Sequence, residues 1–341
     1  MRPSILSRLF VYFLLIAVAA GLAGCATGRD SKSILGESEY NRWMDLEKQR
    51  VFATPGATRQ SLPDEAVLLE KSASSKQDDP NRIQAATPEE FEKAGDQYAG
   101  QGKAGLALLQ YEKALGLTSH QAVIHYKMGI IYLNKGMTDE ALKTFEKILK
   151  DDPKSALAYE GMGRVFLVRG ELDKAEDCFR EAISFDPQSW QPHAFLGLLY
   201  HQRKQFESSI TEYRKAVASH PDSGMLLNNL GMSCYLRGAY RQSAEALISA
   251  SKIEPVDPKT YNNLGLALGK LGRYEEALEA FKKAGDEAGA YNNLGCQYMA
   301  NRKYREAVCA FEKAIEIKPG FYPKAHENLK KAKTALLSAQ H

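Results

Sequence analysis

Three pairs of asparagines are the residues of this chain whose chemistry most directly suggests binding. They are Asn228 and Asn229, Asn262 and Asn263, and Asn292 and Asn293. A side-chain amide carries both a hydrogen-bond donor and an acceptor, so a row of amides can hold a peptide backbone without reading its side chains. The alternative is that these amides only support the packing of helices.

No catalytic set accompanies the asparagines. The chain has no Gly-rich phosphate loop, no dinucleotide-binding glycine motif and no H-E-x-x-H zinc motif. His193 and His201 lie eight residues apart, two turns along one helix, but no acidic or cysteine partner completes a metal set. We therefore predict a non-enzymatic protein with no metal, no cofactor and no small-molecule substrate. The alternative, an enzyme with accessory repeats, is disfavoured because no second folded domain remains to hold the chemistry.

The next candidate for chemistry is Cys25, near the start of the chain. A short basic segment precedes an apolar run over residues 9–23, which is too short for a membrane-spanning helix of about 20 residues but suits a signal-peptide core. The run ends in Leu22-Ala23-Gly24-Cys25, which resembles a bacterial lipobox. The resemblance implies cleavage before Cys25 and a diacylglyceryl group on its sulfur, with a further acyl chain such as palmitate. The alternative is an ordinary signal peptide in which the cysteine occurs by chance.

The lipobox resemblance also implies a location. Ala26 rather than an aspartate follows Cys25, which in Gram-negative lipoproteins favours sorting to the outer membrane. We therefore expect a chain anchored by lipid in the outer membrane and facing the periplasm. Several acyl chains make such anchoring stable, at about 0.8 kcal/mol per buried CH₂ group.

Four more cysteines follow, namely Cys178, Cys234, Cys296 and Cys309. The last two fall on the two helices of one predicted hairpin. An oxidising periplasm permits disulfides, so a Cys296–Cys309 bond is one alternative. We favour buried thiols for most of the four.

Seven glycines give the period of the elements that must position these side chains. The first six stand 34 residues apart and the seventh follows after 30. Twelve residues after each glycine stands a small residue, and sixteen after it a large one; a proline follows at twenty-four in five of the repeats. The glycines are Gly95, Gly129, Gly163, Gly197, Gly231, Gly265 and Gly295.

This pattern resembles the tetratricopeptide repeat (TPR) over roughly residues 88–319. The resemblance implies an all-α fold, a right-handed α-solenoid of about seven helical hairpins with a C-terminal capping helix. Gly and Ala let two helices cross closely while aromatic rings fill the gaps beside them. The hairpins must stack, because one alone buries too little surface to offset about 1–2 kcal/mol of backbone entropy per residue.

Four parts are predicted along the chain. They are a lipoprotein signal peptide (1–24), a lipidated flexible tether (25–87), the TPR array with a shortened sixth repeat (88–321), and the capping helix with a tail (322–341). The tether is too polar to form a core. Within it, residues 37–52 place Tyr40, Trp43, Met44 and Val51 on one side of a helix. This segment is either a transient helix, which we favour, or a docking segment.

In the TPR family the first helix of each hairpin lines a concave groove that binds peptides or helices. The resemblance therefore places the second asparagine of each pair in the groove, two residues before the glycine. The earlier repeats carry apolar residues near their glycines, including Ile130, Leu133, Leu167 and Leu198. If these face the groove, its first half is the more apolar; the alternative is that they pack between repeats.

The function implied by these resemblances is a lipid-anchored scaffold that binds protein partners. Lipobox, tether and repeats together resemble the TPR lipoproteins of Flp/Tad-type pilus assembly, or the type IV pilus pilotins, which bind a secretin subunit. TPR lipoproteins of exopolysaccharide export or envelope biogenesis are a further alternative. The formal net charge is +3, of which Arg2 and Arg8 in the predicted signal peptide contribute two. We therefore expect no nucleic-acid partner, since that requires a basic surface.

Overall fold

The computed structural model describes residues 87–119, 121–319 and 323–339, and every secondary-structure element in these ranges is an α-helix. The all-α repeat fold predicted from the sequence is confirmed. The predicted signal peptide, Cys25, the tether up to residue 86 and the segment 37–52 lie outside the described residues. Of the helices in the described ranges, none is long and apolar enough to cross a membrane.

The described residues divide into two compact units. The N-terminal unit, residues 87–187, contains three helical hairpins. Its helices are α1 (Pro88–Gly100), α2 (Ala104–Leu115), α3 (Gln121–Asn134), α4 (Thr138–Asp151), α5 (Ala156–Arg169) and α6 (Leu172–Phe185).

The C-terminal unit, residues 188–339, contains four hairpins and one further helix. Its helices are α7 (Trp190–Gln202), α8 (Phe206–Ser219), α9 (Gly224–Arg237), α10 (Tyr240–Ile253), α11 (Pro258–Lys270), α12 (Tyr274–Ala284), α13 (Glu287–Ala300), α14 (Tyr304–Ile317) and α15 (Pro323–Ser338).

Each hairpin closes around one glycine of the 34-residue period. A Cβ atom on Gly129 would lie 2.4 Å from the ring of Phe145, and one on Gly163 would lie 2.6 Å from the ring of Phe179. No side chain fits at such distances, so glycine is required where first and second helices cross. Phe145 also meets Gly161 of the next first helix, where a Cβ would lie 2.5 Å away. One buried ring thus joins two successive first helices.

The turn inside each hairpin needs one residue with positive φ. Glycine fills this position in five of the seven turns, with Gly170 at 75° as one example. Lys204 and Arg302 fill it in the other two, both at 60° and both in the C-terminal unit. A left-handed backbone costs an L-residue roughly 1–2 kcal/mol, so these two turns retain strain that the others avoid.

The shortened sixth repeat loses its residues from the end of its second helix. α12 has 11 residues, and α13 begins three positions after Ala284. Asp286 occupies the junction as the N-cap of α13, where its Oδ1 accepts a 2.6 Å hydrogen bond from the Gly289 N–H. A capping carboxylate satisfies an N–H group that the helix itself leaves open.

α15 has the sequence of an eighth first helix without a second helix to follow. Asn328 lies two residues before Lys330, as Asn263 and Asn293 lie two residues before their glycines. Ala332 is fully buried in the core cluster of the last hairpin. Lys330 is exposed and stands where the repeats have glycine.

Candidate protein-binding surface

The asparagine pairs bond to one another between successive first helices of the C-terminal unit. In each step the first asparagine of one pair accepts a hydrogen bond from an asparagine of the next first helix. We call this row the amide ladder. Its steps are Asn263 Nδ2 to Asn228 Oδ1 at 2.9 Å, Asn293 Nδ2 to Asn262 Oδ1 at 3.3 Å, and Asn328 Nδ2 to Asn292 Oδ1 at 3.0 Å.

All six predicted asparagines take part in this pairing, since Asn229 Oδ1 also accepts from Asn228 Nδ2 at 3.4 Å. Four of the six are buried, whereas Asn229 and Asn262 are half-buried. The structure therefore gives most of these amides the packing role that the sequence left open as the alternative. Only Asn229 and Asn262 keep an accessible amide for a ligand.

Asn328 is a ladder residue that the sequence reasoning missed. It lacks an adjacent asparagine, so no pair marks it. The signal was present in the dipeptide Asn328-Leu329, which repeats the Asn-Leu of Asn263-Leu264. α15 therefore extends the ladder as well as covering the last hairpin.

Half-exposed side chains lie on the same first helices as the two accessible amides, or on the next one, α13. We define the C-terminal first-helix face as Asn229, Tyr235, Asn262, Leu266 and Met299, all half-buried. Tyr235 and Leu266 pack against the same core cluster of buried residues. Burial raises the pKa of Tyr235 to about 12, so its hydroxyl stays neutral near pH 7. The face is therefore uncharged and mixes apolar side chains with amides.

In the N-terminal unit, ion pairs occupy the equivalent positions. Lys127 Nζ lies 2.7 Å from Glu92 Oε1 and 2.8 Å from both oxygens of Asp96. The Tyr111 hydroxyl donates a 2.6 Å hydrogen bond to Asp96 Oδ1. Burial, together with the Asp96 carboxylate, raises the pKa of Tyr111, so Tyr111 remains a donor.

A second ionic cluster joins α3 to α5. The Tyr126 hydroxyl donates to Glu160 Oε1 at 2.9 Å, and Arg164 Nη1 lies 2.9 Å from the Tyr126 hydroxyl and 3.3 Å from Glu160 Oε1. All three side chains are buried. Buried charges require such partners because an uncompensated charge in the interior is costly. The sequence reasoning missed this cluster, because Glu160 and Arg164 match no repeat consensus.

The apolar groove considered for the earlier repeats is not formed by the residues named for it. Ile130, Leu133, Leu167 and Leu198 are all buried. They support the alternative of packing between helices. Burial of a large apolar side chain lowers the free energy of the folded state more than partial exposure does.

Cys296 and Cys309 do not form the disulfide that the sequence left open as an alternative to buried thiols. Cys309 is an exposed free cysteine on α14. Cys296 is buried and its sulfur lies 3.7 Å from Asn328 Nδ2 of α15. The two side chains leave their hairpin in different directions, which residue spacing alone does not reveal. Cys234 is a buried free thiol, and burial raises the pKa of the Cys178 thiol to about 11.

The two histidines singled out in α7 have separate partners. His193 Nδ1 lies 2.6 Å from Glu212 Oε2, and His201 Nδ1 lies 2.9 Å from Ser233 Oγ. Within the ranges that the structure describes, no group of His, Cys, Asp and Glu could hold a metal ion. Both histidines serve contacts between helices.

Several solved structures resemble this chain in fold. The APC/C hetero-tetramer Cut9–Hcn1 is 21% identical over 74% of this chain and 50% of that chain, with a TM-score of 0.49. YrrB, a TPR protein with an unusual peptide-binding site, is 21% identical over 55% of this chain and 99% of that chain (TM-score 0.48). PilF of Pseudomonas aeruginosa is 19% identical over 62% and 95% (TM-score 0.47). The chain spans half of the length of the Cut9–Hcn1 chain.

Likenesses at these identities and scores carry no argument about partners. No curated protein matches the chain. Two family models do match, and both describe repeats rather than a catalytic domain. The tetratricopeptide repeat matches residues 288–321, and the Cilia and flagella-associated protein 70 C-terminal domain matches residues 46–294, well over half of the chain. The chain therefore belongs to the TPR family of the Cilia and flagella-associated protein 70 C-terminal domain.

Proposed function

We propose that the chain is a non-enzymatic scaffold that binds other proteins on the C-terminal first-helix face. One observation carries the proposal. The face presents half-exposed apolar and amide side chains on helices that buried amide bonds hold together. A surface fixed before binding loses less conformational entropy when a partner arrives.

The chemistry of this face specifies the partner's chemistry. Asn229 and Asn262 can bond a peptide backbone, while Tyr235, Leu266 and Met299 offer apolar contact. The partner is therefore an extended or helical segment that brings apolar side chains and few charges.

Photo-crosslinking in cells tests this function. A photoreactive residue is placed at Leu266 or at Met299, with Arg241 as the matched control because it is exposed on the second helix α10. The same partner is expected at Leu266 and Met299 and not at Arg241, and mass spectrometry identifies it. Equal capture at all three positions, or at none, contradicts the proposal.

The place of action is a separate part of the proposal. We propose a chain anchored by lipid at Cys25 in the outer membrane, facing the periplasm, where it holds a secretin or another component of a pilus-assembly system. The lipobox and the polar tether support this location. A Cys25→Ser chain should leave the membrane fraction, and the wild type should incorporate labelled palmitate. Absence of label contradicts the anchor and leaves the binding face as a separate question.

A further inference from the structure

The hairpin turns of the C-terminal unit concentrate positive charge. We define the C-terminal turn edge as these four turns, each taken with the last four residues of the helix before it and the first four of the helix after it. Because the hairpins stack side by side, their turns lie along one edge of the unit. The edge has nine basic and four acidic residues, a net charge of +5. Its segments are residues 199–209, 234–243, 267–277 and 297–307.

Two comparable sets of residues are neutral. In the same unit, the four connections that lead from a second helix to the next first helix, taken with the same flanking residues, have six basic and six acidic residues. The three hairpin turns of the N-terminal unit have four of each. The positive charge therefore belongs to one edge of one unit, and the net charge of +3 for the whole chain does not show it.

The chain itself neutralises only part of this charge. Three of the nine basic residues form ion pairs within the edge, namely Arg237 with Glu207, Arg273 with Glu276 and Lys303 with Glu306. Five others have no ion-pair partner among the residues that the structure describes, and four of the five are exposed. They are Lys204, Arg241, Arg302 and Arg305, which are exposed, and Lys270, which is half-buried.

Two of these basic residues occupy strained backbone positions. Lys204 and Arg302 have a φ of 60° at the place where the other five hairpin turns have glycine. This left-handed region is unfavourable for an L-residue, and such strain is found most often at functional sites. A glycine would form the same turn without strain, so we infer that the charge at these two turns serves a purpose other than folding.

An aromatic residue begins each second helix along this edge. These residues are Phe206, Tyr240, Tyr274 and Tyr304, all half-buried. The corresponding residues of the N-terminal unit are not aromatic; they are Ala104, Thr138 and Leu172. Lys303 Nζ lies 4.9 Å from the centroid of the Tyr274 ring. Tyrosine is enriched at the boundary between water and lipid, where its ring sits at the level of the headgroups.

We propose that the C-terminal turn edge binds the surface of a membrane that contains anionic lipids. Its basic side chains contact lipid phosphates, and its aromatic rings lie among the headgroups. Each turn is the tip of a separate hairpin, so anions must be present at four separate tips, and a bilayer presents phosphates over a continuous surface. Tyrosine combines an apolar ring with a polar hydroxyl, which favours this boundary over a soluble acidic partner. The contact depends neither on the C-terminal first-helix face nor on lipidation at Cys25.

Hydrogen exchange on the full chain, reconstituted in vesicles, tests the inference. Amides of the four turns should exchange about fivefold or more slowly in vesicles that contain phosphatidylglycerol than in vesicles of phosphatidylcholine alone. A high salt concentration should remove this difference, because it screens exposed charges. The hairpin turns of the N-terminal unit should exchange at the same rate in both kinds of vesicle.

Removal of the two strained cations gives the sharpest variant. A Lys204→Gly, Arg302→Gly chain loses two charges, but glycine adopts the left-handed backbone readily, so both turns remain. In this chain the difference between the two kinds of vesicle should fall below about twofold. Lys252→Gln with Lys283→Gln is the matched control, because it removes two exposed charges from the opposite edge, and it should leave the difference unchanged.

Three results overturn the inference. One is equal exchange of the four turns in both kinds of vesicle for the wild type. Another is a difference that survives Lys204→Gly with Arg302→Gly. The third is equal or greater slowing by inorganic phosphate, polyglutamate or a single-stranded oligonucleotide added to the phosphatidylcholine vesicles, which would assign the edge to a soluble anion.

Discussion

The two units join their first helices with different chemistry. In the N-terminal unit the links are charged: Lys127 with two carboxylates, and Arg164 with Glu160 and the Tyr126 hydroxyl. In the C-terminal unit they are neutral amide bonds repeated at each step. In both units these side chains join successive first helices, yet they are charged in one unit and neutral in the other.

The two kinds of link differ in how many partners each side chain accepts. A buried ion pair is strongly destabilising when either partner is lost, because the other charge is stranded. Each ionic link therefore tolerates only its own partner. An amide is donor and acceptor at once, so the same residue serves on both sides of a step and the pattern can recur.

The largest effect is expected for Arg164→Met. The variant leaves the Glu160 carboxylate buried without its cation, so the free energy of unfolding of the N-terminal unit should fall by about 3–5 kcal/mol. Urea denaturation followed by circular dichroism measures it. The matched variant Glu160→Gln with Arg164→Met should recover most of the loss. If the single variant is as stable as the wild type, the ionic link contributes nothing to the contrast.

A smaller loss is expected for Asn263→Ala in the amide ladder. The Asn228 Oδ1 atom would lose its 2.9 Å partner in a buried position, at a cost of about 1–3 kcal/mol. Asn229→Ala is the control, because Asn229 is half-exposed and its change should cost less than about 0.5 kcal/mol. Equal losses from the two variants would mean that the ladder is no stronger than surface contacts.

Two turns, one from each unit, should respond to substitution with opposite signs. Lys204→Gly relieves a left-handed lysine and should stabilise the C-terminal unit by about 0.5–1 kcal/mol, after the greater freedom of glycine in the unfolded chain is counted. Gly170→Ala in the N-terminal unit should destabilise it by about 1 kcal/mol. Thermal denaturation of both variants measures the two shifts, and a shared sign would contradict the strain assigned to Lys204.

The smallest effect is a dependence of stability on pH that comes from His125 in the N-terminal unit. Burial, with help from Lys147, lowers the pKa of His125 in α3 below its usual 6.5. The unfolded chain therefore binds the proton more readily, and stability falls as the pH drops below about 6.5 towards the folded pKa. A His125→Gln chain should lose this part of the pH dependence. Denaturation between pH 7.5 and 5 is the measurement, and identical slopes in the two chains would contradict the assignment.

The fold could be predicted from the sequence because the residues that each hairpin requires recur at a fixed spacing. Two features can be predicted from residues within one 34-residue unit. They are the glycine that contacts Phe145 or Phe179 and the end of each second helix. The links between first helices cannot be predicted in this way, because they join residues 31 to 38 positions apart, such as Lys127 with Asp96 and Arg164 with Tyr126. The types of the linking residues change from repeat to repeat, so the 34-residue period does not show which side chains are in contact.

The same limit explains the outcomes at the predicted site. The recurrence of the asparagines marks them in the sequence, but recurrence alone does not show whether their amides face a ligand or each other. Cys296 and Cys309 share a hairpin, yet their directions depend on the rotation of each helix, and only Cys296 turns towards α15. The proposed binding surface consists of the few positions, such as Asn262 and Leu266, that this packing leaves accessible.

Lys330 determines what α15 can pack against. A lysine stands where every repeat has a glycine that contacts a large side chain of its second helix. A second helix packed on α15 in the same way would therefore place its large side chain against Lys330, and replacing this one residue with glycine would remove the obstacle.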